Sequence, residues 1–265
     1  MKHHYLRWFL SLVAAGAMTP VSAQITLHEA TNVTQTKATL SADFPDLSVE
    51  HGFQYKYGTL PEIDDFSRTA LAANSDPVQL NSSTVNKWIC RTNYGWIESP
   101  SSLPAGAATS IKCTVNIYKP STINFEWSVD SEENKGILSF IVDGKIIESI
   151  SGEKSFELFS FNIEAGNHSF EWKYSKASNS NAGLDVAMLK NIFFENTISG
   201  EWESINCLSD KMCINDLIPQ HTIIFRAFDS KNRYSNISVF STDSIKIHTP
   251  IISKINTCLL YTSDA

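Results

Sequence analysis

Three aromatic residues around one glycine, Trp88, Tyr94 and Trp96 beside Gly95, are the best candidates in this 265-residue chain for holding a ligand. Flat rings near a glycine turn have little reason to be buried, and such rings stack on extended ligands such as sugars; packing at a sheet edge is the competing reading. A second group is the cysteines: Cys90, Cys113, Cys207, Cys213 and Cys258. Their spacing offers no paired Cys-x-x-Cys or Cys/His pattern for zinc. Buried free thiols and one or two disulfides both fit, with Cys207 and Cys213 the best local pair because they flank an expected hairpin. Glu126 and Glu171 hold matching places in two Phe-Glu-Trp words. If their strands pair, the carboxylates approach as a glycosidase dyad would; solvated surface charge is the simpler expectation. Asp143, Glu153 and Asp185 are oxygen donors near turns, but no Asp-x-Asp-x-Asp loop surrounds them. His168 heads a strand and has no nucleophile motif to serve: there is no Gly-x-Ser-x-Gly, no His-Glu-x-x-His and no phosphate loop. The expectation is no catalytic residue, no metal site and no cofactor.

The elements that must position these residues are strands. Ile123, Phe125, Trp127 and Val129 alternate with polar residues, as do Phe170, Trp172 and Tyr174. Side chains of a strand point to opposite faces with period two, so each run buries an aromatic stripe. Between them, Ile137–Val142, the dipeptide Asp143-Gly144 and Lys145–Ile150 form a strong hairpin signal. Upstream, Ala38–Asp43 and His51–Tyr57 alternate, and Ser67–Leu71 and Pro77–Leu80 are expected as short strands. Downstream, Trp202–Ile205, Lys211–Ile214, Thr222–Phe228 and Ser238–Ile247 are strands. Helical periodicity of any length is confined to the leader. The fold class is therefore all-β.

Composition bounds the partners. Hydrophobic residues make up 42% of the chain and the formal net charge is −7. No Lys/Arg block stands out, which argues against a nucleic-acid or anionic-membrane partner. Lys2 and Arg7, the apolar Trp8–Met18 and Val21-Ser22-Ala23 before Gln24 together predict a secretory signal over 1–23 and an exported chain. No later segment is long and apolar enough to span a bilayer as a helix.

The flanks of the chain resemble a fibronectin type III domain of the kind common in secreted proteins of the Bacteroidetes. Leu217, Pro219, Arg226 and Ala227, in Leu217-Ile-Pro-Gln-His-Thr-Ile-Ile-Phe-Arg-Ala227, fit the family's strand F, although its corner tyrosine is Ile223 here. Gly52-Phe53-Gln-Tyr55 resembles strand C and Phe240-Ser-Thr242 the closing strand. Residues 24–83 and 198–249 together are the length of one such domain, with about four strands before the interruption and three after. The economical organisation is one sandwich split by an inserted domain at 84–197; three units in a row is the rival. The insert resembles a jelly-roll module recurrent in large bacterial surface proteins. It carries Ser131-Glu-Glu-Asn134, Asp143-Gly144, Ile150-Ser-Gly-Glu153, Gly166-Asn-His168-Ser-Phe-Glu-Trp172-Lys-Tyr174-Ser-Lys176 and Gly183-Leu-Asp185-Val-Ala-Met-Leu-Lys-Asn191-Ile192. Lys135-Gly136 and Ala177 stand where the module usually has Asp, which removes two carboxylates from any cation site. Residues 250–265 are a tail, in which Cys258–Ala265 resembles a translated sequencing-adapter frame and implies a reading frame cut near Thr257.

Together these resemblances imply an exported, non-catalytic binding or adhesion module of a larger bacterial surface or secreted protein, with an extracellular glycan or protein as ligand. The alternatives are an accessory region of a secreted hydrolase and an inert spacer.

Overall fold

A computed structural model describes residues 24–177 and 183–244. The leader, residues 178–182 and residues 245–265, which hold the end of the expected strand Ser238–Ile247 and Cys258, lie outside them. The chain opens with β1 (Thr26–Leu27), β2 (Ala38–Asp43), β3 (His51–Tyr57) and the short helix α1 (Asp65–Ala70). There follow β4 (Asn81–Ser82), β5 (Ile89–Arg91), β6 (Trp96–Glu98), β7 (Ala108–Ile117), β8 (Ser121–Asp130) and β9 (Gly136–Val142). Next come β10 (Lys145–Ser151), β11 (Glu153–Ile163), β12 (Gly166–Lys176) and β13 (Val186–Phe193). The chain closes with β14 (Glu203–Cys207), β15 (Lys211–Ile214), β16 (Thr222–Asp229) and β17 (Ser238–Ser241). The all-β expectation holds.

The larger sandwich packs a sheet of order β10-β9-β12-β7-β4 on one of order β11-β8-β13-β6-β5. From β7 to β13 every connection except the β9–β10 hairpin changes sheet, the wiring of a jelly roll. The alternating runs do what period two demands. Ile123, Phe125, Trp127 and Val129 of β8 and Phe170, Trp172 and Tyr174 of β12 are all buried. They meet across the sheets: the Phe125 ring lies 4.8 Å from Phe140 and 5.4 Å from Trp172 by centroid. At the β9–β10 turn Asp143 and Gly144 have φ of 50° and 79°, the left-handed pair that a tight hairpin requires. Asp143 accepts the Ser169 N–H at 2.8 Å and lies 2.8 Å from His168 Nδ1, so His168 ties the turn to β12. That hydrogen bond is the main reason the Asp143 carboxyl titrates below its ordinary range.

Two local expectations are overturned between β3 and β5. Ser67–Ala70 of the expected strand Ser67–Leu71 lie in α1, because Asp64 caps it by accepting the Ser67 N–H at 2.8 Å, and Leu71 just past its end bridges Ile192. Pro77–Leu80, also expected as a strand, is irregular, with the Leu80 N–H donating to Ser67 Oγ at 3.0 Å. Ile63, Phe66, Ala70, Leu71, Val78 and Leu80, expected with the first flank, pack into the larger core instead.

The smaller sandwich is built from both ends of the chain. Its sheets are β1-β2-β15 and β14-β3-β16-β17, enclosing Leu40, Phe53, Leu217, Ile223, Phe225 and Ala227. Three strands precede the long central stretch and four follow it, one fewer and one more than expected. β14 pairs β3 with Glu203 opposite Tyr55, so residues 58–202 leave and return at the tip of what is otherwise a hairpin. The Tyr55 hydroxyl donates to Glu203 Oε2 at 2.6 Å across that pairing. Burial, followed by the Glu203 hydrogen bond and charge, pushes the Tyr55 phenol from 10 up to about 12. The folded state thus favours the protonated phenol. Its contribution is complete below the unfolded value and is lost as pH rises through the folded one. A Tyr55→Phe chain is expected to show a shallower alkaline loss of stability between pH 10 and 12. Thermal melts across that window check this, and an unaltered slope removes Tyr55 from the account.

Candidate functional site

Tyr94 and Trp96 reach the surface through the β5–β6 hairpin. Gly95, with φ of 70°, lets the chain reverse, and its N–H donates to the Arg91 carbonyl at 2.9 Å. On β6, Ile97 is buried between Trp96 and Glu98, which share the outward face. Arg91 of β5 pairs with Trp96. Leu189 of β13 pairs with Ile97 and with Trp127, so its neighbours Met188 and Lys190 also point outward. Leu158 of β11 pairs with Glu126 of β8 and is 70% exposed. The outer face of this sheet therefore carries the residues from which a site is built.

On that face Tyr94 is 67% exposed and its ring stacks on Trp96 at 4.8 Å and 21°. Trp96 lies in turn 5.6 Å from the Phe156 ring, tilted by 49°. The register slip between Lys154 and Glu157 in β11 is where Phe156 sits. The Lys190 ammonium stands 4.3 Å over Phe156 and 3.1 Å from Glu126 Oε2. Asn191 donates to Glu126 Oε1 at 2.6 Å, and the Trp96 indole N–H donates to Glu98 Oε2 at 3.3 Å. Arg91 pairs with Glu98. For Glu126, burial raises the pKa, but the Asn191 and Lys190 hydrogen bonds and the Lys190 charge outweigh it and hold the carboxyl below its ordinary range. The charges beside the rings are thus internally matched. What remains for a ligand is a row of aromatic faces, which suits stacking by an uncharged ring.

Trp88 does not join this row. It is only 4% exposed and packs in the larger core, with its backbone N–H donating to Ser82 Oγ at 2.9 Å. The reason is alternation on a strand the sequence did not suggest: Cys90 pairs with the inward Ile97, so Trp88, two residues earlier, faces inward as well. Phe156 and Lys190 escaped sequence reasoning. Only the outward parity of Lys190, beside the buried Leu189, signalled its place, and the register slip at Phe156 left no mark in the sequence.

The other candidates do not assemble. Glu126 and Glu171 lie on β8 and β12, strands of different sheets, and Glu171 pairs with Lys112 at 3.2 Å. They cannot act as a dyad. Asp143 serves its turn, and Asp185 pairs with Lys176. Among the described residues no cluster of three His, Cys, Asp or Glu side chains forms a metal-ligand set. Cys207 and Cys213 do not flank a hairpin, since β14 and β15 belong to different sheets. Both thiols are free: Cys207 Sγ donates to the Ser209 carbonyl at 2.9 Å, and Cys213 Sγ lies 3.8 Å from Asn215 Oδ1. Cys90 and Cys113 are free as well.

No protein-family model and no curated protein sequence matches this chain. Among solved structures it is similar to the secreted serine protease VesC from Vibrio cholerae, at 13% identity and a TM-score of 0.41. That match covers 65% of this chain and 40% of the protease, so the chain spans well under half of that protein. It is also similar to a family 35 carbohydrate binding module from an environmental isolate, at 14% identity and a TM-score of 0.25 over 50% of this chain and 91% of the module. The adhesin domain of Epf from Streptococcus pyogenes matches at 8% identity and a TM-score of 0.25, over 82% of this chain and 98% of that domain.

Proposed function

We propose that this chain is an exported, non-catalytic binding module that engages an extracellular glycan through the ring faces of Tyr94 and Trp96. The observation that carries this reading is the exposed Tyr94 ring, held in a stack on Trp96 above a sheet face whose charges are paired among themselves. A solvent-facing aromatic shelf on a rigid strand scaffold is pre-organised, so little is lost in ordering it on binding. The negative formal charge and the absence of a basic block favour a glycan over a nucleic acid. Export rests on the leader sequence. Among the described residues no helix is long and apolar enough to cross a membrane. Adhesion and service as an accessory arm of a secreted hydrolase use the same shelf and differ in what the module is joined to.

We also infer that the smaller sandwich is a fibronectin type III-like domain split by the larger one. Seven strands arranged as three and four support this. So does the place of Tyr57. It pairs with Ile223, where the family has its corner tyrosine, and its hydroxyl accepts the Ile218 N–H at 3.2 Å. The corner hydrogen bond is supplied from the neighbouring strand.

Glycan-array binding tests the functional reading. A Tyr94→Ala/Trp96→Ala chain is expected to lose about ten-fold or more of the signal with its melting temperature unchanged, the scale of losing one central stacking contact. Arrays that read the same for the variant and the parent sink the proposal.

A further inference from the structure

A second concavity lies away from the aromatic shelf, where the larger sandwich meets the strands' exit and return. β4 pairs with β7 only at Lys112 and Ile111, and the chain preceding β4 then diverges. The divergence opens a cleft of about 640 Å³ beside the second half of β7, closed by the segments around Thr59 and Ser199. That volume is within the usual range for small-ligand sites. On β7, Thr114 and Asn116 are exposed, alternating with the buried Val115 and Ile117, and Tyr118 follows, 49% exposed. Asn81 faces them from β4.

The cleft has an unusual polar inventory. Thr59, Gln79, Asn81, Thr114, Asn116, Tyr118, Thr197 and Ser199 contribute hydroxyl and amide groups, and no Asp, Glu, Lys or Arg lines it. Gln79 donates to the Leu80 carbonyl at 3.4 Å and Thr197 to Asp76 at 3.2 Å, whereas the other six side chains make no hydrogen bond to another group among the described residues. On the aromatic shelf the reverse holds, since Arg91, Glu98, Glu126, Lys190 and Asn191 are all engaged with one another. One surface offers ring faces with its polar groups committed; the other offers uncommitted neutral donors and acceptors and one accessible ring. Amides and hydroxyls that can both donate and accept match the vicinal hydroxyls of a sugar, and an uncharged lining gives a carboxylated sugar no counter-charge.

We propose that this cleft is a second, independent binding site that takes a neutral oligosaccharide, held by Asn81, Thr114 and Asn116 and stacked on Tyr118. It does not rest on the aromatic shelf. If both sites bind, one module engages a polysaccharide at two points, and the second event benefits from the effective concentration set by the first.

Affinity electrophoresis of the full chain through native gels tests this. The gels contain galactomannan or xyloglucan as neutral probes and polygalacturonate as the acidic one. Retardation by a neutral probe is expected to weaken about ten-fold in Asn116→Ala/Tyr118→Ala and in Thr114→Trp, which fills the cleft, with melting temperatures unchanged. In a Tyr94→Ala/Trp96→Ala background the neutral retardation that remains is expected to disappear when the cleft substitutions are added, which separates the two sites. Retardation unaffected by both cleft variants overturns the proposal, as does a chain retarded by neither neutral probe. Capture from a random-peptide display that Thr114→Trp abolishes, without neutral-probe retardation, assigns the cleft to peptides and overturns it equally.

Discussion

An Asp185→Asn chain is expected to unfold its larger sandwich with about 3–5 kcal/mol less free energy than the parent, the scale of leaving a buried charge without its partner. Lys176 and Asp185 are both buried and form an ion pair at the far end of β12. The second Asp185 oxygen accepts the Tyr174 hydroxyl at 3.1 Å. Burial first, and then the Asp185 charge, holds the Tyr174 phenol far above its ordinary range, so it remains a donor throughout the accessible pH range. Gly136 stands against this hydroxyl so closely that a Cβ would lie 2.3 Å from it, which accounts for glycine at the start of β9. Asp185 has φ of 61°, a conformation asparagine tolerates, so the substitution removes the charge and little else. The Lys176 ammonium then has no counter-ion among the described residues, while its backbone still pairs with Gly106 and Ala107 at 2.7 and 2.9 Å. Adding Lys176→Met is expected to recover most of the loss, because the cost lies in the stranded charge. Urea unfolding followed by tryptophan fluorescence measures both steps. A single-variant loss under about 1 kcal/mol means that water reaches the pair and that burial does not set its energetics.

Trp172→Ala is expected to cost a similar amount, about 3–5 kcal/mol, through the lost contacts and the cavity left behind. Trp172 is completely buried, with Phe125 at 5.4 Å and Phe140 at 5.3 Å. Its indole N–H has no hydrogen-bond partner among the described residues. A buried donor left unsatisfied itself costs about 1–3 kcal/mol. Trp172→Phe is therefore expected to lose much less than the alanine variant, because it deletes the orphaned N–H while keeping most of the ring volume. The same unfolding experiment decides: equal losses for Phe and Ala mean that neither the retained ring volume nor the deleted N–H recovers stability, and this account of Trp172 fails.

Much of this architecture is written in the chain. Period two at Ile123–Val129 and Phe170–Tyr174 announces two strands with aromatic inner faces, and burial follows. Asp143-Gly144 specifies its own turn, since both residues tolerate positive φ. These are local properties, carried by side-chain parity and backbone sterics within a few residues. What surrounds a residue across the sandwich has no such local record. Glu126 and Glu171 sit in the same Phe-Glu-Trp word, yet they face solvent from opposite sheets, because the chain crosses between the sheets on its way from β8 to β12. Cys207 and Cys213 are six apart in the chain and are separated by a change of sheet. Trp88 and Trp96 share a turn-rich stretch, yet one is core and the other a surface platform, because the ladder of β5 to β6 sets their parity. By itself the sequence determined the long strands, the central hairpin, the aromatic inner faces and the Tyr94–Trp96 surface candidates. Only the tertiary structure decided which of those aromatics stack on one face, that Phe156 and Lys190 complete the row, and that a neutral cleft opens beside β7. Those outcomes come from pairing register and sheet packing, which join residues distant along the chain, whereas sequence patterns report only neighbours.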